Sequence, residues 1–400
     1  LPATPLLSVL RQAPDGHDSD VWADVDTLDD ERHLRIVPDR LSAQALRAHV
    51  ATASMERLDL AHPPFEIRIF DHLEEGGAAL YVKMHHAVAD GIGFQTILGL
   101  LSDKAPAVPW PDAAAPLPAP DTWRALADAR FAAEADRAEA HKGRRKEALA
   151  AIKVLESDDS SKRATTPVFG LSGPTSARRA YTTASLPLAR IKAAGSALGG
   201  TVNDIFLAVA ATALRDALIA IGQLPDQPIV INSARSYRRE AEHGRFGNRI
   251  AAIHPHLATT IADPVERLRA IQTSMAAELR RTPLDEAMLD QPEKPGGAAA
   301  RREAFAQRTS GGAAVLPGNI TLSNVPGPAG DRFFAGYRQR ANHPVPLLGS
   351  GRFLNITSRR NGDRLDFGIM ADPEKLPDVA GIAQGLERAL ALYESLAPRG

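Results

Sequence analysis

The chain has 400 residues, enough for one large domain or, more commonly, for two domains of roughly 200 residues each. Hydrophobic residues make up 44% and charged residues 24%, a composition that excludes disorder of the whole chain. The formal net charge of −1 gives no support for nucleic-acid binding. Cysteine is absent, which excludes disulfides, thiolate catalysis and cysteine metal sites and favours a reducing compartment such as the cytoplasm.

The first hundred residues alternate between helical and strand patterns. Apolar residues at helical spacing predict an amphipathic helix over 41–50. Alternating apolar and polar residues predict a strand over 65–69. A second predicted strand, over 78–84, leads directly into two adjacent histidines, and the pattern is helical again over 94–101.

A segment without regular periodicity separates the two halves of the chain. Residues 104–121 contain six prolines and predict a stiff linker. An Ala-, Arg- and Glu-rich stretch over 122–156 predicts one long helix, which carries the basic run Lys142-Gly-Arg-Arg-Lys146. We therefore predict an N-terminal domain over 1–103, a linker with a long helix over 104–175 and a C-terminal domain over 176–400.

The second half repeats the alternation without repeating the sequence. An apolar helix is predicted over 201–221; its longest uncharged run, 205–214, has about half of the ~20 residues that cross a bilayer. Gly, Ala and Pro predict a loop over 290–312. The other predicted elements are strands over 229–232, 248–257, 319–324, 353–359 and 365–370 and helices over 263–281 and 379–396. Together these patterns predict an α/β (α+β) fold of two similar sandwich domains, with mixed sheets flanked by helices.

The most informative sequence is His85-His86-Ala-Val-Ala-Asp90-Gly91, at the end of a predicted strand. A strand end fixes a side chain while the following loop leaves it accessible, and a neutral histidine is a suitable base for an alcohol. Two histidines and Asp90 also suggest a metal site. Neighbouring strand residues point to opposite faces, however, so we expect no metal and one buried, structural histidine. Gly91 would let the loop turn sharply, which favours a functional role over an ordinary structural pair of histidines.

A second candidate is Gly200-Thr201-Val-Asn203-Asp204, at the start of the apolar helix. Thr201 and Asp204 match a capping box, so helix capping alone explains both residues. Capping does not explain Asn203. The alternative to a functional role for Asn203 is that its side chain simply faces solvent.

A third candidate lies in the segment 319–328, where Thr321 and Ser323 share one face of a predicted strand. Hydroxyls in this arrangement could donate hydrogen bonds to a developing oxyanion. The alternative interpretation is purely structural: a polar strand that ends in a Pro-Gly turn. The sequence contains no P-loop, no His-Glu-x-x-His and no Gly-x-Ser-x-Gly, which disfavours kinases, zinc proteases and serine hydrolases.

Together these segments resemble the bacterial wax ester synthase/diacylglycerol acyltransferase family, within the CoA-dependent acyltransferase superfamily. The pattern His-His-x-x-x-Asp-Gly over 85–91 is the superfamily's signature, which also occurs in nonribosomal condensation domains and chloramphenicol acetyltransferase-like enzymes. Further stretches similar to family motifs are Leu198-Gly-Gly-Thr-Val-Asn-Asp-Ile-Phe-Leu-Ala208, Phe246-Gly-Asn-Arg249, Leu322-Ser-Asn-Val-Pro-Gly-Pro328 and Leu365-Asp-Phe-Gly368. The resemblance extends from Trp22 to the C-terminus.

The resemblance implies two chloramphenicol-acetyltransferase-like domains and an O-acyltransferase that uses acyl-CoA to esterify a long-chain alcohol or diacylglycerol. Within the catalytic motif, His86 would take the proton of the acceptor hydroxyl, and Asp90 would fix the loop by pairing with an arginine. Asn203, Asp204 and Asn324 would lie at the substrate channel. Acyl-CoA would be a substrate, and no cofactor is expected.

The chain departs from the family in two places. It has Pro64-Phe65-Glu66 where Pro-Leu-Trp is usual, and almost none of the usual N-terminal segment precedes Trp22, which predicts a chain shortened at its N-terminus. Two alternatives are an acyltransferase for a polyketide or other specialised hydroxyl and a lipid-binding relative without catalysis. Because the expected substrates are lipophilic, we predict peripheral association with the inner membrane face or with lipid droplets; the sequence does not predict the oligomeric state.

Overall fold

A computed structural model gives the fold of residues 8–13, 16–25, 28–104, 118–158, 162–242, 246–289, 295–310, 317–349 and 351–396. The helices in these ranges are α1 (Asp30–His33), α2 (Ala43–Met55), α3 (Gly91–Leu100), α4 (Pro120–Ala133), α5 (Ala135–Leu155), α6 (Leu188–Leu198), α7 (Val202–Ala220), α8 (Pro264–Leu289), α9 (Gly297–Ser310) and α10 (Val379–Ser395). The strands are β1 (Ser8–Arg11), β2 (Val21–Asp24), β3 (Leu34–Val37), β4 (Phe65–Phe70), β5 (Ala79–Met84), β6 (Ala180–Pro187), β7 (Ile231–Ser236), β8 (Ile250–Ile253), β9 (Ile320–Val325), β10 (Phe333–Phe334), β11 (Tyr337–Arg338), β12 (Leu354–Asn361) and β13 (Arg364–Ala371).

Two mixed sheets flanked by helices form the framework, as the sequence predicts. The smaller sheet has the order β3-β4-β5, in which β3 and β4 are parallel and β5 is antiparallel to β4. The larger sheet has the order β6-β13-β12-β9-β7-β8, and its central strands β12, β9 and β7 are parallel. The expected similarity of the two layouts is wrong for the described part of the chain, because one sheet has three strands and the other six.

The main hydrophobic core surrounds α7. All residues from Ile205 to Leu214 are buried, because this helix packs against the larger sheet and against α6, α8 and α10. A helix that is apolar on all sides is typical of such a core position. Within the described ranges, no single helix is long and apolar enough to cross a bilayer; α6 and α7, bent by 97° at their junction, meet that criterion only as a pair, by length and composition.

Several predicted elements differ from the observed ones. The single helix expected over 122–156 is two helices, because α4 ends at Ala133 and α5 begins at Ala135. Glu134 lies between them, and the sequence has neither Gly nor Pro there to mark a break. The loop expected over 290–312 contains α9, whose Ala-rich sequence favours a helix; residues 290–294 and 311–312 lie outside the described residues. Most of the proline-rich linker, residues 105–117, also lies outside them.

The remaining predicted elements are confirmed, with shifted ends. The helix expected from residue 94 begins at Gly91, because the Asp90 side chain caps it. The strand expected over 229–232 occupies Ile231–Ser236, and the one expected over 248–257 is reduced to Ile250–Ile253. Sequence periodicity locates the body of an element better than its ends.

Candidate active site

The loop that follows β5 is anchored at one end and open at the other. The strand ends at Met84, and the loop turns at once, with the Val88 N–H donating to the His85 carbonyl at 3.0 Å. Val88 and Ala89 are only 2% and 5% exposed and pack into the core of the smaller sheet. His85 and His86 are both exposed. The fold therefore holds the loop by its apolar residues and leaves the histidines accessible.

His85 is not the buried partner that strand alternation predicts. The strand ends before it, so the two histidines lie in a turn, where alternation does not apply. Its Nδ1 accepts a hydrogen bond from the Ala87 N–H at 3.2 Å, so a neutral His85 ring carries its proton on Nε2. Although the His85 side chain is exposed by area, the surrounding chain removes part of the hydration of its ring; this effect and then the adjacent His86 lower the pKa of His85, which favours that neutral form. No hydrogen bond from the described residues engages the His86 ring.

Asp90 is buried among donors. Its carboxylate accepts hydrogen bonds from the backbone N–H of Ile92 at 3.1 Å, of Gly93 at 3.0 Å and of Arg249 at 3.0 Å, and from Arg238 Nη2 at 2.9 Å. The side chains of Asp90 and Arg238 are 0% and 1% exposed. Asp90 therefore caps α3 and pairs with Arg238, a partner that the sequence does not identify. Among the described residues, no three His, Asp or Glu side chains could hold a metal ion.

The segment 246–249 attaches the loop to the second half of the chain. The Gly247 N–H donates to the Val88 carbonyl at 3.0 Å, and the Asp90 N–H donates to the Gly247 carbonyl at 3.2 Å. Asn248 Nδ2 donates to the His86 carbonyl at 2.7 Å. The sequence Phe246-Gly-Asn-Arg249, which the sequence analysis recognised only by resemblance, thus positions the backbone within the motif, at His86, Val88 and Asp90.

Gly91 has a different role from the expected one. It is the first residue of α3 and has helical backbone geometry, so it does not supply a special turn. A methyl group on its Cα would lie 3.1 Å from Cγ1 of Val325, at the end of β9. The small side chain at Gly91 therefore permits close packing between the start of α3 and the larger sheet.

The start of α7 confirms the capping interpretation and adds one contact. Asp204 Oδ2 accepts from the Thr201 N–H at 2.8 Å, and the Asp204 N–H donates to Thr201 Oγ1 at 3.2 Å, which completes the capping box. Asn203 does not simply face solvent, because its Oδ1 lies 3.5 Å from Nδ2 of Asn324. The Oδ1 of Asn324 accepts from Ser358 Oγ at 3.0 Å. The structure thus brings Asn203 and Asn324 together, whereas Asp204 is occupied by capping.

The candidate residues of β9 lie on two faces of the larger sheet. Leu322 is fully buried against the main core, and strand alternation places Asn324 on the same face. Thr321 and Ser323 lie on the opposite face, as does Val325, which contacts the start of α3. The hydroxyl pair is therefore on the side of the motif loop, and the asparagine is on the side of α7. Their chemical roles remain predictions.

Two glycines in the C-terminal motif stretches have no room for a side chain. A methyl group on Gly327 would lie 2.0 Å from the carbonyl oxygen of Arg360. One on Gly368 would lie 1.6 Å from the carbonyl oxygen of Pro344. Because backbone atoms cannot rotate away as a side chain can, these positions require glycine for packing.

Comparison with solved structures identifies the class of fold. The wax ester synthase/diacylglycerol acyltransferase from Marinobacter aquaeolei VT8 superposes with a TM-score of 0.66 at 24% identity, over 98% of this chain and 86% of that one. The first condensation domain of the CDA synthetase gives a TM-score of 0.55 at 16% identity, over 99% and 86%. The fold is therefore the chloramphenicol-acetyltransferase-like, two-domain fold, as predicted.

Sequence comparison gives the family. Residues 2–206 match the wax ester synthase/diacylglycerol acyltransferase catalytic domain, and residues 246–394 match the C-terminal domain of the same proteins. The chain belongs to this family of acyltransferases. Two relatives from Mycobacterium tuberculosis H37Rv, both provisionally named diacylglycerol O-acyltransferases, are 28% identical: Rv0895 over 95% of this chain and 78% of its own length, and tgs2 over 92% and 82%.

Proposed function

We propose that this acyltransferase moves a fatty acyl group from acyl-CoA to the hydroxyl of a lipophilic alcohol, with His86 as the general base. The observation that supports this proposal is the difference between the hydrogen bonds of the two histidine rings. His85 uses Nδ1 to accept from the loop backbone, while the exposed His86 ring is not engaged by the described residues and its carbonyl is held by Asn248. His86 is therefore fixed by its backbone and available through its ring.

In the proposed reaction, a ring nitrogen of His86 accepts the proton of the acceptor hydroxyl while the hydroxyl oxygen attacks the thioester carbonyl carbon. The tetrahedral intermediate collapses by breaking the carbon–sulfur bond, and the imidazolium returns the proton to the CoA thiolate. General-base assistance of this kind contributes roughly 10²–10⁴ in rate. No acyl-enzyme forms, in agreement with a chain that has no cysteine.

Donors for the developing oxyanion are proposed from β9. Thr321 and Ser323 lie on the face that meets the start of α3, which is the side of the motif loop. Asn203 and Asn324 are then residues of the channel wall, held by their mutual contact and by Ser358. A preorganised donor of this type is worth roughly 10²–10³ in rate, so replacement of the correct one has a measurable effect.

The acceptor is proposed to be a long-chain alcohol or diacylglycerol, which the names of the family and of its relatives support. Palmitoyl-CoA incubated with hexadecanol, with diacylglycerol or with neither, while thiol and ester are both measured, tests this. Ester formation with either lipid supports the proposal. Thiol release without ester indicates a hydrolase, and neither product indicates a lipid-binding relative; an ester formed only with other hydroxyl compounds indicates a specialised acyltransferase.

Replacing His86 by alanine is expected to lower kcat by roughly 10²–10⁴ because the base is lost. The free energy of unfolding should stay close to that of the unmodified protein, because the side chain is exposed. His72→Ala, at another exposed histidine outside the motif, is the matched control and should retain activity. Turnover by His86→Ala near that of the control would show that another group is the base.

A lipid surface is the proposed location of the enzyme. On α5, Lys142, Arg145, Lys146 and Leu149 follow at i, i+3, i+4 and i+7 and are exposed, Leu149 by 48%. They form a face with three cations and an apolar residue, in which Lys142 is also paired with the exposed Glu139 at 2.8 Å; Arg144 lies on the other side of the helix. Reversible, salt-sensitive binding to anionic vesicles is the observation that this location requires.

A further inference from the structure

A cleft of about 470 Å³ lies along α3, directly after the motif loop. One wall consists of Ile92, Gln95, Thr96 and Gly99, which follow at i, i+3, i+4 and i+7 on one face of the helix. The opposite wall includes the turn 326–328 at the end of β9. Because α3 begins immediately after Asp90 and has 10 residues, the cleft lies within ~15 Å of the motif loop along the helix axis.

Two arginines with no anionic partner among the described residues lie at this cleft. Arg332 lines it, and Arg359 is 6% exposed behind it, with its guanidinium 5.3 Å from the ring of Phe94. Burial lowers the pKa of both, and burial followed by the charge of Arg332 lowers the pKa of Arg359 to about 10. The ion pairs of the described residues include no carboxylate on either arginine.

The amide of Gln95 lies between the two guanidinium groups and cannot satisfy both. With its oxygen turned to Arg359, it accepts from Nε at 2.6 Å and from Nη1 at 3.0 Å. With its oxygen turned the other way, it lies 3.5 Å from Nη1 of Arg332. The first orientation satisfies Arg359, whose Nη1 also donates to Asn342 Oδ1 at 3.3 Å, and it turns the NH₂ group, itself a donor, toward Arg332. Arg332 is then the guanidinium that lacks an acceptor from Gln95.

The charges around the cleft favour an anion. Lys104 also lines it, and the carboxylate of Asp331, another lining residue, is paired with Arg338 at 2.9 Å. Partly buried cations without a counter-ion are costly, and a bound anion removes that cost. Guanidinium groups bind phosphate through paired hydrogen bonds, so phosphate is the anion that this site suits best.

We propose that this cleft binds a phosphate group of the CoA part of the acyl donor, with Arg332 as the direct contact and Arg359 and Lys104 adding positive charge. The inference rests on the proposed acyl-CoA donor and gives it a binding site. In acyl-CoA the phosphates lie at a distance from the thioester, and the cleft likewise lies at a distance from His86 along α3. One donor molecule can therefore place its thioester at His86 and a phosphate in the cleft. A phospholipid headgroup carries the same chemistry and is the other source of phosphate.

The test compares two acyl donors in two variants. Arg332→Gln removes the charge from the cleft, and Arg57→Gln is the matched control, an exposed arginine just after α2 that does not line the cleft. With palmitoyl-CoA, Arg332→Gln should raise KM by about tenfold to a hundredfold, the effect of losing one charge-assisted hydrogen bond, with a much smaller change in kcat. With the palmitoyl thioester of N-acetylcysteamine, which has no phosphate, KM should not change. Arg57→Gln should match the unmodified protein with both donors.

An equal rise in KM for both donors, or no rise for either, overturns the proposal. Calorimetry with adenosine 3′,5′-bisphosphate gives a reading without turnover: the unmodified protein should bind it at least tenfold more tightly than Arg332→Gln, and equal binding overturns the proposal. If the unmodified protein forms no product from palmitoyl-CoA, the proposed function fails, and calorimetry alone decides the phosphate site.

Vesicles with and without phosphatidic acid test whether a lipid headgroup supplies the phosphate. Loss of vesicle binding by Arg332→Gln with an unchanged KM for palmitoyl-CoA assigns the site to a headgroup and overturns the CoA assignment.

Discussion

Replacing Asp90 by alanine is expected to lower the free energy of unfolding by about 3–5 kcal/mol, because it removes one carboxylate of a buried ion pair and leaves the Arg238 charge buried. Both side chains are at most 1% exposed, so water cannot replace the lost partner. The helix cap on α3 is lost as well and accounts for about 1 kcal/mol of the total. Domains are commonly stable by only ~5–15 kcal/mol, so this single change removes a large share.

Three further variants separate the ion pair from the other bonds of Asp90. Asp90→Asn retains one acceptor oxygen and should cost less, about 1–3 kcal/mol. Arg238→Met removes the buried charge and leaves Asp90 with its three backbone donors. The double variant Asp90→Ala/Arg238→Met should therefore be more stable than the sum of its single effects, by at least about 1 kcal/mol.

Urea unfolding of these variants measures the free energies, and acyl transfer is assayed on the same samples. Asp331→Ala, which breaks the exposed pair with Arg338, is the control and should change stability by at most about 1 kcal/mol. Additive effects in the double variant would show that the two residues do not act as a pair. Loss of all transfer in Asp90→Ala and Asp90→Asn with unchanged unfolding would instead assign Asp90 a direct chemical role.

Gly327→Ala and Gly368→Ala should each lower stability by about 1–3 kcal/mol, since the new methyl group meets a backbone carbonyl. Thermal unfolding measures this against Gly330→Ala, which has no atom within 4 Å of the new methyl group; equal behaviour of all three would refute the packing argument. Replacing Lys142, Arg145 and Lys146 together by glutamine should weaken flotation with anionic vesicles at low salt. The single change Arg144→Gln should not weaken it. Flotation that is insensitive to salt and to both changes would assign the contact to an apolar surface.

Local patterns in the sequence predict a large part of the fold. The period-two alternation of β4 and the apolar run of α7 each correspond to an observed element, and the Thr201–Asp204 capping box is present in atomic detail. These features depend on residues at most a few positions apart, and their interactions are formed within one element. The same local information did not reveal the break at Glu134, where no residue type interrupts the helical pattern.

The supporting contacts of the candidate site could not be predicted in the same way. Arg238 is 148 positions from Asp90, and nothing in its local sequence separates it from the other arginines. The position of His85 also required the structure, because a shift of one residue at the end of β5 decides whether the side chain belongs to a strand or to a turn. The cleft beside Gln95 depends on Arg332 and Arg359, which neither follow a motif nor share an element.

The contacts between the motif loop and the second half of the chain have a consequence for folding kinetics. Arg238, Asn248 and Arg249 join residues of the loop that are 148 to 162 positions earlier, so the loop receives its support only after a very long stretch of chain has closed. Closure over such separations is entropically costly and slow compared with the formation of helices and hairpins. During synthesis, a nascent chain that ends before residue 238 carries both histidines on an unsupported loop. We therefore expect acyl transfer to begin only after the second half of the chain, which is made last, has folded.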